Sequence, residues 1–284
     1  MGGCLRGSRS AVALAALALV GCSAQRIVAV DPFPCGDGGP SGCVGLLDDL
    51  IGFWQLDDPA GSSTARDFSL RGNTGMLMGI DPGSAWVAGG PEGRALAPQG
   101  KGFVLVPRST SIDSITTQVT MAAWIYIDGS ITDYATAISR QIGTSYGQHY
   151  HLSIRSDLKP GLFITALDAN NQEVQQFING PTAIAQQTWV HIAGTYDGTM
   201  VRLYLNGAEV QNVALTGPFA MEDNPVILSG NGNSTGPMYT ERIPGRLNDV
   251  MLYRRALRSD EIASLSNGAL IGWSGSQRDA GAGQ

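Results

Sequence analysis

The chain has 284 residues, room for one large domain or two small ones. At 43% hydrophobic and only 15% charged it can bury a sizeable core, which excludes broad disorder. Its net charge of −6, with no basic run, lacks the clustered Lys and Arg that neutralise phosphates, so nucleic acid is not an expected partner.

Arg6 and Arg9 precede an apolar run, AVALAALALV, at residues 11–20. That run has the length of a signal-peptide core and is too short to span a bilayer. Leu19-Val20-Gly21-Cys22 follows and resembles the bacterial lipobox. The resemblance implies cleavage before Cys22 and lipid on its thiol and new amino group. Ordinary secretion past a chance cysteine is the alternative. Residues 1–21 carry Arg6 and Arg9 and no acid, so their removal takes the net charge from −6 to −8. Stable anchoring needs more than one lipid chain, a condition the multiply acylated cysteine of such lipoproteins meets. Ser23 is not the usual inner-membrane retention residue. The expected location is therefore the outer membrane of a bacterial envelope, reached by export and held by lipid.

Cys4 falls in the discarded segment, which leaves Cys35 and Cys43 in CGDGGPSGC. In an oxidising compartment these two are expected to form a local disulfide. Closing so small a loop contributes somewhat under about 3 kcal/mol in the chain-entropy picture. A zinc site is the competing possibility, but it needs two more ligands, and no other Cys or His is near. Residues 22–44 otherwise read as a Gly/Pro-rich tether.

From residue 45 the pattern is that of strands. Residues 50–56 form the first, ended by Asp57-Asp58-Pro59, and a polar loop covers 60–73. Residues 76–78, 85–88 and 103–107 are short strands. Residues 119–127 make a long one, with Met121, Ala123, Ile125 and Ile127 on one face and Ala122, Trp124 and Tyr126 on the other. Residues 136–140, 149–155, 161–167 and 173–178 follow. Next comes a meander of three strands, beginning at Trp189, Val201 and Ala208. Asp197-Gly198 and Asn206-Gly207 supply its hairpin turns. Trp54, Trp124 and Trp189 lie inside strand patterns and are assigned to the core. Residues 226–229 and 243–253 are the last strands. A helix is predicted over 258–266, capped by Ser259, with Asp260 and Glu261 at its positive end and Gly268 as its stop. Residues 270–284 lack periodicity and read as a tail.

Three segments carry a family resemblance: WVHIAGTYDG with LYLNG, then GRLNDVMLYRRALRSDEI, and at the start GFWQLDD with DFSLRGNTGML. Together they resemble the laminin-G-like domains of the concanavalin A-like lectin/glucanase class. The resemblance implies an all-β fold. It is an antiparallel two-sheet jelly-roll sandwich over residues 45–269 with one short C-terminal helix. Such sandwiches host sugar binders, protein binders and enzymes, so the fold alone does not choose among them.

The resemblance also implies that the first and last strands lie side by side. Asp57, Asp58, Asp67, Asn73 and Asp249 would then bring together the hard oxygens that Ca²⁺ prefers. Two departures weaken that expectation. Asn248-Asp249 stands where the family often has Asp-Asp, and Leu70 stands where its loop has Gly. Simple Asx turns at Asp67 and Asn73 are the alternative. For a carbohydrate, Tyr134, Tyr146, His149 and Tyr239 lie in or beside polar loops and are candidate stacking platforms. Catalysis is not expected. Glycoside hydrolysis uses a pair of carboxylates, whereas Glu92, Glu173, Glu209, Glu222, Glu241 and Glu261 are scattered and no Gly-x-Ser-x-Gly elbow occurs. His191 reads as a satisfied core histidine. The expected function is non-catalytic binding of a carbohydrate or glycoprotein. A structural or protein-interaction role is the alternative, and glycoside hydrolysis a more distant third.

Overall fold

A computed structural model describes residues 45–91, 93–98, 100–141, 148–220, 223–232 and 241–270. Two antiparallel eight-stranded sheets face each other. The first runs β14 (Ala208–Ala214), β13 (Met200–Leu205), β12 (Val190–Tyr196), β7 (Val119–Ile127) and β16 (Gly245–Tyr253), then β5 (Gly93–Leu96) and β4 (Trp86–Gly90). The opening strand β1 (Leu50–Trp54) pairs with the other half of β16, so the first and last strands are neighbours as expected. The second sheet runs β11 (Glu173–Asn179), β10 (Pro160–Leu167), β9 (Gln148–Arg155), β8 (Tyr134–Gln141), β15 (Val226–Leu228), β6 (Phe103–Val106), β3 (Gly75–Met78) and β2 (Thr64–Ala65). The described chain also holds short helices α1 (Pro82–Ala85), α2 (Thr110–Asp113) and α3 (Ser259–Ser266) and a helical turn at 45–47.

Alternation decides which side chains fill the space between the sheets. Val119, Met121, Ala123, Ile125 and Ile127 of β7 are fully buried and share one apolar cluster with Tyr150, Leu152 and Ile154 of β9 and Leu162, Ile164 and Ala166 of β10. The sheets approach closely where β12 carries Gly194: a Cβ there would lie 2.6 Å from Leu162. The meander turns form as predicted. The Asp197 carboxylate accepts from the backbone N–H of Thr199 and Met200, and Asn206 and Gly207 both take positive φ, 49° and 82°.

A second, smaller apolar cluster lies on the outer side of the first sheet. Ile262 and Leu265 of α3 cover Ala122, Ala193, Met251 and Tyr253, together with Leu46 and Leu50. The α3 cap differs from expectation. Its N-cap residue is Arg258, whose backbone N–H donates to Glu261 Oε2 at 2.8 Å, and Ser259 lies one position inside the helix. Glu261 also pairs with Arg255, and Arg255 donates to the Gly45 carbonyl, tying the helical turn at 45–47 to α3. Trp54 is core, but Trp124 and Trp189 are not. Both rings stay half-buried on the outer face of the first sheet, beside His191 and Tyr126 respectively. A residue count along a strand gives a face, not which face is covered.

Candidate functional site

Two of the acidic residues expected to gather around Ca²⁺, Asp58 and Asp67, accept hydrogen bonds from protein donors. Asp67 Oδ1 accepts from the backbone N–H of Phe53 and Ser69; Oδ2 accepts from the Ser69 hydroxyl and the Asn73 N–H. Four donors fill the lone-pair sites of one carboxylate. Asn73 Oδ1 accepts the Ser109 hydroxyl at 2.6 Å, and its Nδ2 donates to Ile51 O and Ser111 Oγ. Asp67 and Asn73 are thus brought together, as a clamp that holds the 67–73 loop on β1. Asp58 turns to Arg66, which donates from its side chain and from its backbone. Asp249 takes a positive φ and gives its backbone N–H to Gln55 O. The side-chain oxygens of Asp67 and Asn73, expected as Ca²⁺ ligands, thus accept from protein donors. Among the described residues no group of three or more His, Cys, Asp or Glu side chains could hold a metal.

Of the four stacking candidates, Tyr146 and Tyr239 lie outside the described residues, as do Cys22, Cys35 and Cys43. His149 is overturned as an exposed platform. The register slips between Arg140 and Gln141, which swings His149 inward against Phe219, with 4.5 Å between rings. Its side chain is buried, and burial, helped by the Arg140 charge, lowers its pKa to about 3. His191 is likewise buried, with a pKa lowered by burial to about 4. It is not satisfied, however: its Nδ1 has no hydrogen-bond partner among the described residues.

Tyr134 stands in a built arrangement. On the outer face of the second sheet, register sets Phe177, Phe163 and His151 in one row across β11, β10 and β9. The Phe163 and Phe177 rings stack at 3.9 Å, and Phe163 stacks on His151 at 5.3 Å. Tyr134 meets all three edge-on, 5.6–6.3 Å away. Tyr134, Phe163 and Phe177 are half-buried, and the Arg155 guanidinium lies over Phe177. Next to this wall stands a polar cluster. The Thr136 hydroxyl lies 2.6 Å from His151 Nε2 and donates to Glu241 Oε2 at 2.8 Å; the same carboxylate oxygen is 3.1 Å from His151 Nε2. Burial pushes the Glu241 carboxyl up. His151, Thr136 and Asn231 outweigh that and hold it below its usual range, so it is an anion at neutral pH. Around it, His151 Nδ1, Ser153 Oγ, Asn179 Oδ1, Asn231 Oδ1 and Arg242 Nε are buried and have no hydrogen-bond partner among the described residues. Such groups cost free energy until something pairs with them.

The cluster is not a nucleophile relay. A relay needs the alcohol on one imidazole nitrogen and the acid on the other. Here Thr136 and Glu241 share Nε2. The arrangement suits recognition by the outward edges of half-buried rings, whose faces are taken by one another, by His151 and by Arg155, beside the Glu241 carboxylate. Sequence reasoning missed Thr136, His151, Phe163 and Phe177. The alternating His149 and His151 in a strand, and a Phe on the polar side of β10, were the signals available.

These features define a class, the antiparallel lectin-type sandwich with a polar and aromatic outer sheet face. The family model of the concanavalin A-like lectin/glucanases superfamily matches residues 98–263, and the chain belongs to that superfamily. Human pappalysin-1 is 29% identical over 129 residues; the match takes in 42% of this chain and only 8% of pappalysin-1. Domain 4 of AbnA, an extracellular arabinanase from Geobacillus stearothermophilus solved with arabinotriose, superposes with a TM-score of 0.52 at 17% identity, over 77% of this chain and 98% of that one. A structure of botulinum neurotoxin type C, concerned with its interaction with two ganglioside molecules, gives 0.56 at 16% identity, over 80% and 52%. At these identities the solved structures establish the shared fold.

Proposed function

We propose that this protein is a non-catalytic, lipid-anchored envelope protein whose sandwich binds a carbohydrate, free or on a glycoprotein, on the outer face of its second sheet. One observation carries the reading: the Tyr134–Phe163–Phe177 wall stands beside the Glu241–Thr136–His151 cluster and its unpaired polar atoms. Sugars present apolar ring faces edged by hydroxyls, and that pairing of surfaces matches them. The similar AbnA domain was solved with an oligosaccharide, and the neurotoxin structure concerns gangliosides, which supports a glycan class of ligand. AbnA as a whole is an arabinanase, so catalysis is the reading to set against this one. Binding is favoured because Thr136 and Glu241 share His151 Nε2, so the cluster is not arranged as a nucleophile relay. The Arg-flanked apolar run and Cys22 support export and lipid attachment.

A glycan array probed with the purified protein tests the proposal. Saturable binding is expected, reversed by free sugar and weakened at least about tenfold by Phe163→Ala or Glu241→Gln, each polar or stacking contact contributing on the order of 1–2 kcal/mol. Binding that ignores both substitutions removes the site. Release of reducing ends from a bound polysaccharide removes the non-catalytic reading.

A further inference from the structure

Leu70 is the most exposed large apolar side chain described, at 83%, and its backbone φ is +66°. Bulky residues avoid this left-handed region, and an exposed leucine gains nothing from water. The bend is no accident of a slack loop. Asp67 takes hydrogen bonds from Ser69 and Asn73 on either side of it, and the Ser69 hydroxyl also donates to Asp67. A rigid clamp therefore presents Leu70 outward at a conformational cost. Such an outlier points to a use outside the fold.

The surroundings say what kind. Leu70 and Arg71 rim a shallow groove of about 290 Å³ with Leu47, Leu50, Phe68 and Ser69. Arg71 is exposed and makes no ion pair among the described residues, and Arg66 lies over the Phe68 ring. Leu47 belongs to the turn at 45–47, where the described chain begins, so the tip sits where the preceding tether joins the domain. Cys22 is 23 residues before Gly45, a reach of at most about 80 Å.

We propose that the Leu70–Arg71 tip docks the domain on an anionic phospholipid surface, Leu70 entering the acyl boundary and Arg71 meeting headgroup phosphates. The orientation rests on the lipid-anchor reading of Cys22. One leucine and one or two arginines bind a bilayer weakly. A tether turns that weak contact into an intramolecular one, where it suffices to set the domain's attitude.

The test uses the mature chain from residue 22 with Cys22→Ala, so no lipid contributes. It is sedimented with vesicles of phosphatidylethanolamine and phosphatidylglycerol (3:1), or of phosphatidylcholine alone, up to about 10 mM lipid. Binding to the anionic vesicles is expected, with little to phosphatidylcholine. Leu70→Gly should weaken it about tenfold and raise the melting temperature, since Gly accepts the bend. Arg71→Ser should weaken it several-fold. Absence of binding to anionic vesicles, or equal binding by Leu70→Gly, overturns the proposal. So does a Leu70-dependent dimer in analytical ultracentrifugation. Mass spectrometry of Cys22 in the wild-type chain judges the anchor separately: an unmodified cysteine there ends the anchor reading while the vesicle result still decides the docking.

Discussion

Two histidines are buried neutral, and that makes the protein acid-sensitive in a specific way. His149 and His191 have pKa values lowered by burial to about 3 and about 4. In the unfolded chain both take a proton near pH 6.5, so the unfolded state binds more protons as pH falls below that value. Stability therefore drops by about 1.4 kcal/mol per pH unit for each histidine, from pH 6.5 down toward the folded pKa. Calorimetric melts at pH 7 and pH 5 should show the loss. His149→Phe should roughly halve the slope at little cost at pH 7, because both ring nitrogens of His149 lack partners among the described residues. Asp67 is the converse case, a polar group with every site filled. Asp67→Ala should destabilise by about 3 kcal/mol, since it strands donors of Phe53, Ser69 and Asn73 at once. Added Ca²⁺ or a chelator should leave the wild-type melting temperature where it is. A rise of several degrees with Ca²⁺ would contradict the engaged-oxygen account.

At the scale of elements, close approach of β12 to β10 is set by a missing side chain. Gly194→Val would press on Leu162 and should cost about 3 kcal/mol by urea denaturation. An unchanged midpoint would mean that the sheets can part. The three-stranded meander and β7 were readable because alternation and Asn-Gly or Asp-Gly turns act within a few residues. The 119–127 strand coincides with β7 residue for residue, whereas β8 starts two residues before its predicted first residue, Thr136. Strands β2 and β5 went unseen, since two to four residues with Gly or Arg carry no periodicity and exist only through their partners. The slip between Arg140 and Gln141 also escaped, and it sent His149 inward while His151 stayed outward.

For the whole molecule, two layers leave two outer faces, and what covers them decides function. Helix α3 and the turn at 45–47 seal part of one face. The second sheet keeps Tyr134, Phe163 and Phe177 half-buried at its surface, beside Glu241. Local rules of the chain were enough to establish the all-β class, the meander, the neighbouring first and last strands and the closing helix, because turn chemistry, side-chain alternation and family motifs are written in consecutive residues. Tertiary structure alone decided the rest. Glu241 lies 105 positions from Thr136 and 90 from His151, yet all three share one hydrogen-bonded cluster. Contacts at such separations depend on register across several strands, and a one-residue slip in any of them turns a floor of polar groups into core, or core into floor.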